Sequence, residues 1–217
     1  GDSTQALTLV EKTLKDAESV YWFDKAVIAE ILLQKAGILT NDRQYARSLD
    51  VLERAVGLID KDRNPVLFAN AMFERGKVHT LSHSRDTPEN LTLAYEDFTR
   101  VAAIEEDMVG EDRALSIRAQ HAMAGVAFQQ RRLELAMRHA ETATQLARKR
   151  IDLAKGFGGF SQKLSIETYR DVFMKHIRIL GLRKAANSLS TDAFEQAVHE
   201  KTDDPFVPTA LPIETAD

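Results

Sequence analysis

The chain has 217 residues, of which 44% are hydrophobic and 29% charged, enough for one domain of moderate size or two small ones with a sizeable core. The formal net charge of -4 excludes the basic excess that binding to a nucleic-acid backbone usually requires. The absence of cysteine excludes disulfides, thiolate metal sites and a cysteine nucleophile.

The compartment of the protein is left open by the sequence. Lack of cysteine is compatible with the cytoplasm and with the bacterial periplasm. The chain starts at Gly1 rather than at a methionine, which predicts a processed or shortened amino terminus. No segment is long and apolar enough to span a bilayer, so we expect no direct membrane insertion.

Apolar residues recur at helical spacing along nearly the whole chain, which predicts an all-α protein. Ser3 is placed to cap the first helix, and Pro65 suits the first turn of a later one. The first seven predicted helices cover residues 3–19, 25–39, 45–59, 65–81, 91–104, 112–130 and 133–149. A long helix then starts at Ser161 or Ser165 and ends at Leu182, and a short one covers residues 191–199.

The helices group into a single predicted repeat domain over residues 1–200. Antiparallel pairs cover residues 25–59, 65–104 and 112–150, and capping helices cover residues 161–199.

The segment 201–217 contains three of the five prolines of the chain and cannot continue a helix, so we predict an extended or disordered tail. Its apolar residues are Phe206, Val207, Leu211 and Ile213. They leave two alternatives open, a tail that lies in a groove of this chain or a neighbour, and a frayed tail.

One spacing pattern recurs in four of the predicted helices: a small or polar residue, another residue four positions later, and a third three positions after that. The four sets are Ala6/Val10/Thr13, Ser48/Leu52/Ala55, Ala94/Phe98/Val101 and Ala136/Ala140/Ala143. Three of the preceding helices carry a small residue, Ala36, Gly76 or Gly125, where two antiparallel helices need to approach closely.

At these residues the chain resembles the tetratricopeptide repeat family, whose helix pairs carry Gly or Ala in the first helix and Ala-x-x-x-Phe-x-x-Ala in the second. The best matches are AMAGVAF followed by LELAMRHAETA, and AMFERGKVH followed by LAYEDFTRVAA. The resemblance covers residues 6–147 and implies a right-handed α-solenoid of antiparallel helix pairs. The Trp and Tyr signature residues of the family are mostly missing, and a helical bundle with small residues at chance positions is the alternative.

The resemblance also implies a partner-binding groove, because the first helix of each tetratricopeptide-like pair lines the concave face. The polar residues at the corresponding positions are Glu30, Gln34, Asn41, Asn70, Glu74, Lys77, Gln129 and Gln130. The positions that would form a clamp for a peptide carboxylate hold Leu33 and Gly37, so that clamp is not expected. We expect a non-enzymatic adaptor or scaffold that binds a protein or peptide in this groove; a homo-oligomer is also compatible with the sequence. The alternative is that these residues only keep the groove soluble.

The sequence contains few other residues that could form a catalytic, phosphate-binding or metal-binding site. The glycines of KGFGGF, residues 155–160, follow a predicted helix rather than a strand and lack the Gly-Lys-Ser/Thr of a phosphate loop, so they predict a helix end. His79 and His83 are four apart, but Thr80 stands where a zinc hydrolase needs a glutamate, and a third ligand requires Asp86 to fold back. The sequence therefore predicts no catalytic residue, no metal and no cofactor.

Two other function classes stay open. A sensor or carrier would hold a small ligand in an apolar pocket between helices. An enzyme built on these helices would carry a buried cluster of titratable groups with shifted pKa values.

Overall fold

The computed structural model describes residues 2–20, 24–84, 87–106, 114–154 and 159–188. This part of the chain contains nine helices, which confirms the predicted all-α class. They are α1 (Asp2–Ser19), α2 (Lys25–Asn41), α3 (Tyr45–Leu58), α4 (Pro65–Leu81), α5 (Glu89–Glu106), α6 (Ala114–Gln129), α7 (Leu133–Ala154), α8 (Gly159–Thr168) and α9 (Arg170–Ser188). None of them combines the length and hydropathy needed to cross a membrane.

One predicted helix differs from the structure. The long helix expected to end at Leu182 is two helices, α8 and α9, which meet at Tyr169. Tyr169 is buried in an apolar cluster with Ile117 and Ile151, and we attribute the break to this packing. Helix α8 begins at Gly159, before either serine that was expected to start it. Of the predicted helix end at residues 155–160, residues 159 and 160 belong to α8 and the other four lie outside the described residues. The predicted helix over 191–199 and the tail also lie outside them.

The chain divides into two compact units, Gly1–Met108 and Val109–Asp217. The first unit contains α1 to α5 and the second contains α6 to α9. The single repeat domain over residues 1–200 stays a prediction.

In the first unit each helix packs against the helix that follows it in the chain, and α2 also contacts α4. Two apolar clusters show the directions of the helices. One joins the first halves of α2 and α4 to the end of α3, through Ala29, Ala71 and Ala55. The other joins the second halves of α2 and α4 to the middle of α3, through Ala36, Val78 and Leu52. Helices α2 and α4 therefore run in the same direction, and α3 runs against both.

The recurring spacing pattern marks the core in three of its four occurrences. All nine residues of the sets that begin at Ser48, Ala94 and Ala136 are buried. The set in α1 is different, because Thr13 is exposed and Val10 is only half-buried. Helix α1 buries Leu14 and Ala17 instead, so its packing register lies one turn later than the sequence pattern indicates.

In the second unit α6 pairs with α7, while α9 packs along α7 and α8 contacts both. Helix α6 is buried on almost every side, since eleven of its sixteen residues are buried. An apolar cluster joins it to α7 and α9 through Phe128, Met137 and Ile179. At the end of the described chain the helices therefore do not pack in sequence order, because α9 packs mainly on α7 rather than on α8.

Candidate partner-binding surface

The three predicted contact residues of α2 share one face of the helix. Glu30, Gln34 and Asn41 are all exposed. They lie four and seven residues apart, which places them one above another along the helix. The opposite face carries Leu32 and Ala36, which are 1% exposed each and belong to the core. The polar residues of α2 therefore take no part in closing the core of the first unit.

Helix α4 contacts α2, α3 and α5, and it buries six residues where α2 buries four. Its buried residues are Ala69, Ala71, Met72, Phe73, Gly76 and Val78. Asn70, Glu74 and Lys77 are partly exposed, and their spacing of four and three residues places them on one stripe of α4. The Lys77 ammonium pairs with the Glu74 carboxylate one turn away. Both charges of this pair therefore sit at the edge of solvent rather than in the core.

Six of the eight predicted contact residues thus lie on two neighbouring parallel helices. We call these six the polar stripe: Glu30, Gln34, Asn41, Asn70, Glu74 and Lys77. The other two, Gln129 and Gln130, belong to the second unit, at the end of α6. The Oε1 atom of Gln130 is buried and has no hydrogen-bond partner within the described ranges.

An ion pair between the partly exposed Arg75 of α4 and the buried Asp97 of α5 links these two helices. The Arg75 guanidinium donates to both carboxylate oxygens of Asp97, from Nε to Oδ2 at 2.9 Å and from Nη2 to Oδ1 at 2.7 Å. The Asp97 side chain is only 4% exposed. Hydrogen bonding to Asp97 raises the pKa of Arg75 above its ordinary value. This forked geometry holds α4 in one rotational position, and with it the stripe.

Helices α2 and α3 cross closely at Ala36, as that small residue predicts. The buried Ser48 hydroxyl lies 2.9 Å from the Ala36 carbonyl oxygen and 2.8 Å from the Thr40 hydroxyl. The Thr40 hydroxyl lies 2.8 Å from the same carbonyl oxygen. Such contact between a side chain and the facing backbone requires a small residue at the crossing.

A second group of interest is buried in the second unit. Lys175 of α9 is 8% exposed, and its Nζ donates to the backbone oxygen of His121 at 3.1 Å. Burial lowers the pKa of Lys175 to about 7, while Asp171 raises it and Arg178 lowers it further. Burial, with a smaller contribution from the Lys175 charge, lowers the pKa of His121 well below its ordinary value. The Nε2 atom of His121 is buried and has no hydrogen-bond partner within the described part of the chain.

The sequence did not single out Lys175, although a signal was present. Lys175 stands three residues after Val172 and four before Ile179, both of which are 1% exposed. A lysine on the apolar face of a helix usually reaches past its neighbours to water, so its position alone does not distinguish a buried amine from an exposed one.

The two histidines considered for metal binding do not form a metal site with described residues. The Nδ1 atom of His83 lies 3.2 Å from the backbone oxygen of Thr87. Burial lowers the pKa of His79. The described ranges contain no group of three His, Cys, Asp or Glu side chains that could hold a metal ion. Asp86, the remaining candidate ligand, lies outside them.

No family model matches the chain, and neither a curated protein nor a solved structure matches it.

Proposed function

We propose that this protein is a non-enzymatic adaptor that binds another protein, or an extended peptide from it, on the polar stripe of α2 and α4. The observation that carries this proposal is the arrangement of the two helices. They are parallel neighbours, their buried faces complete the core of the first unit, and each leaves one row of polar side chains towards solvent.

The chemistry of the stripe suits a peptide backbone. Gln34, Asn41 and Asn70 carry carboxamides, each with donors and an acceptor that match the N–H and C=O groups of an extended chain. Glu30 is the acidic residue of the stripe that lies on α2, and Glu74 is already paired with Lys77. We therefore expect a partner segment that is mostly polar and carries a basic residue opposite Glu30.

We also propose that the helix pairs form a right-handed, tetratricopeptide-like array. The close crossings support this, since a small residue of the first helix faces the second helix of its own pair at Ala36 and at Gly76. In such an array the first helices of successive pairs line one concave surface, which is where the polar stripe would then lie.

The test uses the absence of cysteine from the chain, because a single introduced cysteine can carry a thiol-specific photocrosslinker. The probe position is Gln34→Cys on the stripe. The matched control is Asp50→Cys, which is also an exposed polar position, on α3. We expect the stripe probe to crosslink a partner protein from the native extract that the control probe does not, with the crosslinked peptide identified by mass spectrometry. Equal crosslinking from both positions, or none from either, would overturn the adaptor proposal.

The cluster of Lys175 and His121 supports a second candidate function, that of an enzyme. An amine whose pKa is about 7 is about half unprotonated at neutral pH, and its unprotonated form can act as a nucleophile towards a carbonyl group. Brief reductive methylation with formaldehyde at pH 7.5 separates the two roles. If Lys175 is modified faster than the other lysines, an enzyme using this amine is favoured; if it is protected, the amine is a structural group and the adaptor proposal stands.

A further inference from the structure

Helix α9 is apolar on two sides, but its described neighbours cover only one of them. Val172, Ile179 and Leu182 are buried against the rest of the second unit. On the outer side, Met174 is 55% exposed, Ile177 is 61% exposed and Leu180 is 44% exposed. The spacing of three residues places these side chains next to one another, so they form a continuous apolar strip rather than scattered surface residues.

The two ends of this strip carry positive charge. Arg170 lies four residues before Met174 and Lys184 lies four residues after Leu180, so both share the outer face of α9, and both are exposed. The whole helix has five Lys or Arg residues and one acidic residue. We call the surface formed by Arg170, Met174, Ile177, Leu180 and Lys184 the α9 outer face. It suits an occupant that is both apolar and acidic.

We propose that residues 203–217 of the same chain bind to the α9 outer face. This segment contains four acidic residues and no basic one, namely Asp203, Asp204, Glu214 and Asp217. Between the acidic groups it carries Phe206, Val207, Leu211 and Ile213. Its order of acidic, apolar and acidic residues matches the basic, apolar and basic order of the helix surface.

The length of the connection permits this contact. Seventeen residues separate Ser188, the last residue of α9, from Phe206, and such a segment spans up to about 60 Å when fully extended. The apolar strip begins about 12 Å and ends about 21 Å from the end of the helix, at 1.5 Å per residue. A tether of this length gives a local concentration on the order of 1 mM, so that even a weak contact is populated.

The charges disfavour a second copy of the protein as the occupant. A two-fold symmetric contact brings the same surface of each copy together. The two basic residues of the α9 outer face, Arg170 and Lys184, would then lie against the basic residues of the same face in the other copy. Like charges brought together in this way oppose association, whereas the acidic tail neutralises both.

Disulfide formation between introduced cysteines tests the proposal in the full chain, which has no cysteine of its own. The test pair is Ile177→Cys with Thr209→Cys. The control pair is Asp171→Cys with Thr209→Cys, because Asp171 is exposed on the same helix but lies about 120° around it from Ile177. Circular dichroism first establishes that both variants keep the helicity of the parent.

We expect an intramolecular disulfide to form about tenfold faster in the test pair than in the control pair. A bound tail holds residue 209 at a higher local concentration near residue 177 than a free tether does. The difference should shrink when Arg170→Glu and Lys184→Glu are added, because the tail is acidic. Equal rates in the two pairs would overturn tail binding. Disulfide-linked dimers of the single Ile177→Cys variant that form faster than the intramolecular disulfide of the test pair would also overturn it and assign the face to a second copy. Tail binding on α9 does not require the adaptor role, so either can fail alone.

Discussion

Gly76 of α4 lies against the ring of Phe98 of α5 so closely that a Cβ atom at Gly76 would lie 2.9 Å from the ring atom Cε1. It would also lie 3.1 Å from the Cβ of Asp97. Phe98 is fully buried and packs at a tilt against Phe73, with 5.3 Å between the ring centroids. The ring therefore has little room to move away from an added methyl group.

We expect Gly76→Ala to destabilise the first unit by about 1–2 kcal/mol, because overpacking a core outweighs the gain of about 1 kcal/mol in helix propensity. Urea unfolding followed by circular dichroism measures the change. Gly37→Ala is the matched control on α2, since a Cβ there meets nothing within 4 Å. The control should be stabilised by about 0.5–1 kcal/mol. Equal effects at both glycines would mean that the close crossing is absent.

The buried ion pair predicts a large effect of removing one partner. Asp97→Leu leaves the Arg75 guanidinium without its carboxylate, and we expect a loss of about 3 kcal/mol in the free energy of unfolding. Adding Arg75→Met should recover most of that loss, because no unpaired charge then remains. Glu18→Gln is the control for a solvent-exposed pair with Arg54 and should change stability by less than about 1 kcal/mol. A double variant as unstable as Asp97→Leu alone would contradict this account.

Lys175 predicts a specific dependence of stability on pH. Its pKa is about 7 in the folded protein and 10.5 when unperturbed, so between these values the unfolded chain binds more protons than the folded one. The stability of the second unit should therefore rise with pH across this window, by up to about 1.4 kcal/mol per pH unit from this group. Below pH 7 both states are protonated and the contribution is constant.

The variant Lys175→Met isolates this contribution. We expect it to be more stable than the parent at pH 7, and the advantage to decline as the pH approaches 10. Lys149→Met, at an exposed position of α7, is the control. Asp171 and Arg178 on α9, which shift the pKa of the amine, and His121 on α6, whose backbone oxygen accepts from it, stay unchanged in both variants. A difference between Lys175→Met and parent that is independent of pH would refute a depressed pKa.

The Ser48 hydroxyl gives a smaller prediction. Ser48→Ala removes a buried hydrogen bond to the Ala36 carbonyl, but the Thr40 hydroxyl still reaches the same oxygen. We expect a loss of about 1 kcal/mol or less in thermal or urea unfolding. Thr142→Ala, which removes an exposed hydroxyl bonded within α7, should have almost no effect. A loss well above that range would mean that the Thr40 hydroxyl does not compensate.

Much of the fold could be predicted because its causes are local. Apolar spacing locates the helices, and small residues such as Ala36 and Gly76 mark where two helices cross. The register of α1 could not be fixed in the same way, since Ala6, Val10 and Thr13 follow the same spacing as Val10, Leu14 and Ala17. Only the position of α2 decides which set is buried.

The buried charges were beyond sequence reasoning for a different reason. Arg75 and Asp97 are 22 residues apart on different helices, and nothing in their spacing indicates that they meet. Lys175 occupies a position where most lysines reach solvent. The residues of the polar stripe were predicted from the resemblance to tetratricopeptide repeats, whereas the distribution of Gln129 and Gln130 to a second unit depends on the packing of the whole chain.

The packing of the first unit also bears on how the protein folds. Because each helix from α1 to α5 packs chiefly on its neighbours in the chain, its native contacts close only short loops. Proteins with such low contact order fold within microseconds to milliseconds, far faster than a ribosome adds the next residues at about 5–20 per second. Helices α1 to α5 can therefore reach their packed arrangement while the second unit is still being synthesised.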